Sequence, residues 1–477
     1  MRARVLKREA GVVNRALCGA RGHRGAAGSL LALLPRAHRR TATHRLSNPR
    51  HIDHNRRNED ERGRRQGMFH RTGIAVGEMQ GEGRHAKLSR TLSGTNLVRA
   101  GDYNLRTVLQ AIRLLPGTTR ADLALRTGLT PPTIANITTR LVELGLVKVN
   151  GRRQGSRGQP ALQLQVKADG AFSIGLNIDR DHLTLVTLDL AGAVRSRITA
   201  EIAFASPADV RQFVADRLDG LIEAGGVDRS RVFGVGVAIP DDLGRIALPG
   251  RPQDYGIWAE TDVTVLLRET LPWTMHCDND AAAAALGEAE YGSGFRNPTF
   301  FYLLINAGLG GGVVVDRRFH RGATARSGEI GLMPDRSASG RGAVVQDVVS
   351  LSALLARLES GGCAVTAVGE IACLQGKALD IVEQWLRDAV AALAWPVAAI
   401  GCLIDPDAVL IGGRLPLPLV SRLAGDLSAA LGAMDLPSRA KVAPAIMAED
   451  APAVGAAILP FLEHLLPSDA TLMQVGH

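Results

Sequence analysis

From Tyr103 onward apolar residues recur with a helical period. Leu105, Val108, Leu109 and Ile112 fall at i, i+3, i+4 and i+7, which predicts a helix that Pro116-Gly117 ends. Thr119-Arg120-Ala121-Asp122 reads as a capping box, with Asp122 in the place of Glu, and Leu123 and Ala124 supply the buried side of a second helix. Gly128 turns the chain. A third helix opens at Thr130-Pro131-Pro132, carries Ile134, Ile137, Leu141 and Leu144 on one face, and stops at Gly145. The period then changes to two. Val147 and Val149 alternate up to a turn at Asn150-Gly151, and Leu162, Leu164 and Val166 alternate on the far side, the pattern of a two-stranded wing.

Three short helices and a wing predict a winged helix-turn-helix over residues 101–166. The exposed face of its third helix would offer Thr133, Asn136, Thr138 and Arg140 to major-groove base edges. The basic wing tip would carry Arg152, Arg153 and Arg157 to phosphates or the minor groove. Beyond it, a body over 171–463 alternates strands and helices in two halves. Its strands are Ser173–Ile178, Leu183–Leu190, Val194–Ile198, Val232–Ile239 and Val409–Ile411; its helices include one ending at Leu218–Gly226, a long one over Asp380–Ile404 and a closing one over Ala451–Leu462. Such an α/β pattern fits two lobes around a cleft, the default ligand site.

Charge divides the chain in the same way. Residues 1–100 hold 22 Lys+Arg against 7 Asp+Glu, and residues 101–166 hold 9 against 3. The remaining residues hold 25 against 37, so a basic module is joined to an acidic body and only one end suits a polyanion. Residues 1–95 are rich in Arg, His and Gly without apolar periodicity, and are expected to be a disordered extension or an over-long start, with Met68 or Met79 as the true beginning. Residues 464–477 read as a tail. The five cysteines form no CxxC pair, which suits a reduced, cytoplasmic protein. The longest apolar run, Ala389–Ile404, contains Pro396 and falls short of the roughly 18–20 residues of a membrane span, so it reads as a core helix.

Three polar clusters lie at strand ends between Met275 and Leu332: His276-Cys277-Asp278-Asn279-Asp280, Asn306-Ala307-Gly308-Leu309-Gly310-Gly311-Gly312, and Ser327-Gly328-Glu329-Ile330-Gly331. Asn-Asp-Ala before a helix of small residues, a glycine-rich hairpin and Gly-Glu-Ile-Gly together resemble the ROK family, over roughly Thr107 to Leu459. That family groups sugar kinases with sugar-responsive repressors. The resemblance implies an actin-like ATPase, ribonuclease H-like domain of two lobes behind the winged helix-turn-helix. It also implies sugar contacts from Asn279, Asp280 and Glu329. Asp254, with Tyr255 and Trp258, lies where the family has a loop ending in Trp, and an aromatic there would cover a sugar's apolar face. A carboxylate beside an amide suits a vicinal diol. Asp280 is also placed to cap the following helix.

Departures from the family pattern argue against phosphotransfer. Where the kinases hold phosphate on a glycine-rich turn, this chain reads Asn177-Ile178-Asp179-Arg180-Asp181, and two carboxylates there would repel a triphosphate. The second phosphate loop reads Asn306-Ala307-Gly308, without a hydroxyl. Leu332 stands at the family's His position, the zinc-binding Cys cluster is missing between Met333 and Gly362, and Ala282 replaces a second Asn. Neither a metal nor a cofactor is expected. The expectation is a transcriptional regulator, a repressor of carbohydrate genes, that partners operator DNA, a sugar effector and a second copy of itself, as a dimer or tetramer. The alternatives are an ATP-dependent sugar kinase and a ligand-independent regulator with a decayed cleft.

Overall fold

The computed structural model describes residues 97–153, 160–245, 251–338, 342–447 and 450–467. The expected extension over 1–95, the wing-tip Arg157 and the tail beyond Pro467 lie outside the described residues.

The chain opens with α1 (Leu97–Leu114), β1 (Thr118–Thr119), α2 (Arg120–Thr127), α3 (Pro131–Glu143), β2 (Val147–Arg153) and β3 (Ala161–Val166). Their starts follow from local chemistry. Thr119 Oγ1 accepts from Asp122 N at 3.3 Å while Asp122 Oδ2 accepts from Thr119 N at 3.0 Å, so two donors that the first turn of α2 cannot satisfy are paired. Thr130 caps α3 and the two prolines occupy its first turn. The wing differs from expectation in one detail. Asn150-Gly151 does not close the hairpin; β2 runs on to Arg153, paired with Ala161, and the register shifts between Val149 and Arg152. Gly151, at φ +83°, takes up the extra residue as a bulge. β1 adds a short third strand against β3.

Next come β4 (Phe172–Ile178), β5 (His182–Asp189), β6 (Val194–Glu201), α4 (Pro207–Gly225), β7 (Val232–Ile239), α5 (Val263–Leu267) and β8 (Met275–Asn279). They form a sheet in the order β6-β5-β4-β7-β8, in which β4, β5 and β6 are antiparallel and β7 and β8 run parallel to β4. Helix α6 (Asp280–Tyr291) leads to the second lobe: β9 (Phe300–Ile305), β10 (Leu309–Val315), β11 (Arg318–Phe319), α7 (Leu351–Ser360), α8 (Lys377–Ile404), β12 (Ala408–Gly413), α9 (Leu417–Gly432) and β13 (Lys441–Pro444). Its sheet, β11-β10-β9-β12-β13, repeats the plan of three antiparallel strands and two parallel ones. Helix α10 (Ala451–His464) returns to the first sheet.

Each lobe has its own core. Phe172, Ile174, Leu176, Val235 and Leu221 fill the first, and Leu303, Trp385, Leu393, Val409 and Leu423 the second. A third core joins Val108, Leu109 and Ile112 of α1 to Leu123, Ile134 and Leu141 and to Phe461 and Ile458 of α10, so the winged helix-turn-helix is packed onto the body. Leu465 and Leu466 are buried there too, which carries the packing past residue 463. Helix α8 is 28 residues long, enough to cross a membrane by length and composition, and half of its apolar window is buried in the second lobe. Pro396 is accommodated inside it.

Candidate functional site

The cleft is built where β8 meets α6. Asn279 ends the strand and caps the helix: its Oδ1 accepts from Ala281 N at 2.9 Å and Ala282 N at 3.1 Å. The cap that the sequence assigns to Asp280 therefore belongs to its neighbour, and Asp280 is free to turn its buried carboxylate inward. Around it the cleft is lined by Arg180, Asp241, Asp242, Asn306, Gly308, Glu329, Leu332 and Gln346.

Carboxylates crowd this space, and their proton affinities record it. Burial, reinforced by the Asp179 carboxylate, pushes Asp280 up to about 7. Burial raises Glu329 as well, with Asp241 adding to it. Asp241 is raised by burial, against a hydrogen bond from Asn279. Asp242 goes the other way, held low by its hydrogen bond from Arg326. Asp280 is thus poised to exchange a proton near neutrality, and Asn279, its oxygen spent on the cap, presents an amide N–H to Asp241. Asp241 and Asp242 are absent from the sequence-derived site; the signal available was their place directly after Pro240 at the end of a buried strand.

Two expectations for the cleft need correction. Asp254 is exposed and does not line it. Trp258 and Tyr255 are buried in the core of the first lobe, where the Trp258 indole N–H donates to Ala205 O at 2.8 Å and Tyr255 packs edge-on to Phe204 at 5.2 Å. An aromatic on a loop gains more by burying its whole ring than by covering one face of a sugar, and the short Gln253–Glu260 turn lets both rings reach the core.

The turn that corresponds to the kinases' phosphate loop is filled by the protein itself. Asp179 is fully buried; it accepts from Arg180 N at 2.7 Å and from Asn306 Nδ2 at 2.8 Å. Asn306 Oδ1 accepts from Arg414 N at 3.1 Å. The Arg414 guanidinium, itself buried, donates to Asp181 at 2.7 Å and to Glu201. His182 Nδ1 and Asp181 lie 2.7 Å apart. The carboxylates expected to repel a triphosphate are therefore already matched with an amide, a guanidinium and an imidazole. These side chains take up the space within the turn. This network crosses the cleft, tying the first lobe (Asp179, Asp181, Glu201) to the second (Asn306, Arg414). Asp179, Asp181 and His182 hold potential metal-ligand atoms within 4.8 Å of one another, but Asn306 already pairs with Asp179, Arg414 with Asp181, and His182 with Asp181 and Asn177. A separate cavity of about 740 Å³ adjoins the cleft at Gly308 and Gln346 and runs between α7 and α8.

At the other end of the molecule, α3 exposes Asn136 and Arg140 and leaves Thr133 half-buried. Thr138 is corrected: it is fully buried, accepts from Arg120 Nε at 2.8 Å and donates to Ala135 O at 3.1 Å, so it fixes α3 against α2 instead of facing DNA. Thr139 takes the exposed position. One residue is about 100° of rotation, enough to exchange a core position for a surface one. Leu144, expected in the buried stripe, is 52% exposed. Arg152 and Arg153 are exposed on β2, and Arg153 pairs with Asp122 at 3.2 Å, which holds the wing against α2.

A family model described as "ROK family" matches residues 173–461, and one described as "Winged helix-turn-helix DNA-binding" matches residues 102–148. The chain belongs to the ROK family. The chain is similar in structure to a solved "ROK family transcriptional regulator, homolog of E.coli MLC protein". That structure superposes with a TM-score of 0.57 at 20% identity, over 77% of this chain and 98% of that one, and shows the common fold. An uncharacterized protein of Sinorhizobium fredii, y4fQ, is 28% identical over 365 residues, 75% of this chain and 90% of the relative. The xylose repressor of Bacillus subtilis is 24% identical over 233 residues, 48% of this chain and 60% of that protein. A bifunctional enzyme NanE/NanK of Brucella melitensis is 31% identical over 183 residues, 38% of this chain and 34% of the enzyme. A repressor and a bifunctional enzyme are thus both relatives of parts of this chain, and its own residues must decide between the two kinds of role.

Proposed function

We propose that this chain is a DNA-binding transcriptional regulator, a repressor of carbohydrate-metabolism genes, whose kinase-like cleft senses a sugar or sugar derivative without phosphotransfer. The observation that carries this reading is the Asp179–Asn306–Arg414–Asp181 network, which fills the place a donor's phosphates would need, in a chain whose α3 exposes Asn136 and Arg140. In this reading Asp280 and Glu329 accept hydrogen bonds from sugar hydroxyls and the Asn279 N–H donates to one. Asn136 and Arg140, with Thr133 at the edge, read base edges; Arg152, Arg153 and Arg157 contact phosphates. Two copies engage operator half-sites, a geometry that helix-turn-helix proteins meet as dimers. The protein acts in the cytoplasm.

Fluorescence anisotropy on DNA from upstream of its own gene tests the reading, with a panel of sugars and sugar phosphates added to the preformed complex. Release or tightening by one sugar, abolished in the Asp280→Asn, Glu329→Gln double variant, is the expected result. Tight binding indifferent to every sugar would favour a ligand-independent regulator. A kinase reading draws on the likeness to NanE/NanK and on the cavity beside Gly308. Sugar-dependent ADP release in a coupled assay would establish it, and none is expected.

A further inference from the structure

The chain passes between the lobes at two helices. Helix α6 leaves β8 of the first sheet for β9 of the second, and α10 follows β13 of the second and packs back on β4 and β7 of the first. Where they cross, backbones touch with almost no side chain between them. A Cβ at Gly455 of α10 would stand 1.6 Å from Ala283 O of α6, and one at Gly287 would stand 3.2 Å from Gly455 N. The two helices are held together there by direct backbone contact.

The far ends of both helices meet α1. At the end of α6, the Glu290 carboxylate binds the Arg113 guanidinium, which is 3% exposed and lies 4.6 Å over the Tyr291 ring. Gln110 completes the clasp, donating to Glu290 at 3.0 Å and accepting from Arg113 Nε at 2.8 Å. At the end of α10, Glu463 O accepts from Arg106 at 2.7 Å. Arg106 and Arg113 are seven residues apart on one helix, about 10 Å along its axis. Helix α1 therefore lies as a bar across the ends of the two crossing helices, fastened to each. Its inner face shares one core with α2 and α3. The opposite end of α6 begins at Asp280 in the cleft.

We propose that α1 reads the angle between α6 and α10. When the lobes move, the two fastenings shift relative to each other, α1 tilts, and α3 is carried with it. Arg113, Gln110 and Arg106 are positioning residues that transmit lobe geometry to the DNA-binding surface. This goes beyond the regulator reading, and its test needs neither effector nor operator.

The test cuts the guanidinium arm of the interlobe tie with Arg414→Met and reads α1 by amide hydrogen exchange in the full chain, with α9 amides as the reference for overall stability. In the wild-type background R414M should raise exchange at residues 105–112, relative to α9, by about five-fold or more, the lower end of ordinary coupling between sites. With Arg113→Gln also present, the response should fall below about two-fold, because the fastening to α6 is gone. Should R113Q fail to fold, Gln110→Ala combined with Arg106→Gln loosens the fastenings to α6 and α10 at partly exposed positions, and the response should fall in the same way. Helix α1 unchanged by R414M, or a response that persists undiminished without the fastening, overturns the proposal. Absence of operator binding would instead count against the regulator reading and leave this result standing.

Discussion

Asp280→Asn isolates the charge problem at the centre of the cleft. Burial and the neighbouring Asp179 carboxylate move the Asp280 carboxyl from 3.8 to about 7. An acid raised in the folded state holds a proton that the unfolded chain has already lost, so stability falls as pH rises from about 4 to about 7 and levels off above. At about 1.36 kcal/mol per pH unit the shift corresponds to at most about 4 kcal/mol, and sharing with Asp179 brings the expected value to roughly 1–3 kcal/mol. Asparagine imitates the protonated form, and its Oδ1 can still accept from Ala281 N, as the carboxylate does at 2.8 Å. The variant should match the wild type below pH 4, and be the more stable protein by about 1–3 kcal/mol at pH 8. Urea unfolding followed by tryptophan fluorescence, from pH 4 to pH 8, reads the difference; Trp258 reports from the core of the same lobe. Parallel curves for the two proteins, or a less stable D280N at pH 8, would refute the reasoning. Loss of sugar response in a variant that gains stability would identify Asp280 as a residue kept for a ligand at the fold's expense.

Asn136→Ala should lower affinity for operator by roughly 1–3 kcal/mol while leaving scrambled DNA bound as before, and equal losses on both would remove Asn136 from base reading. Thr138→Val should do the reverse, lowering unfolding stability by about 1 kcal/mol, because it strips the Arg120 bond, and leaving discrimination untouched in the same competition assay. Arg152→Ala should reduce the slope of log affinity against log salt by about 1; an unchanged slope would show that the exposed wing does not meet phosphate. Gly455→Ala forces a methyl to within 1.6 Å of Ala283 O. It should lower stability by about 3 kcal/mol in chemical denaturation, and wild-type stability would mean that the helix crossing is looser than described.

The helices of the DNA-binding domain were legible because their signals are local. A capping threonine, a proline pair and a 3.6-residue stripe lie within a dozen residues of one another, as at Thr119 and Thr130. What a sequence cannot show is rotation by one position. Thr138 and Thr139 both fit an exposed face, and the buried Arg120 contact decides between them. In the cleft, Asn279 and Asp280 are equally good caps, and only the point where β8 ends assigns the role. Trp258 carries no mark that separates a sugar platform from a core side chain. Arg414 was beyond reach for a different reason: its partners Asp181 and Glu201 lie 233 and 213 residues away, and the glycines before it explain a turn without pointing to either.

That network also bears on what this protein can become. Opening this turn would mean removing Asp181, which leaves the buried Arg414 guanidinium with Glu201 alone as its carboxylate, or Asp179, which leaves the Asn306 amide without its acceptor. Each single step costs stability, about 1–3 kcal/mol for a buried polar group left short of a partner. The residues that fill this turn depend on one another across two lobes, so replacing them one at a time passes through less stable intermediates. Any variant that opens this turn must therefore change residues of both lobes together.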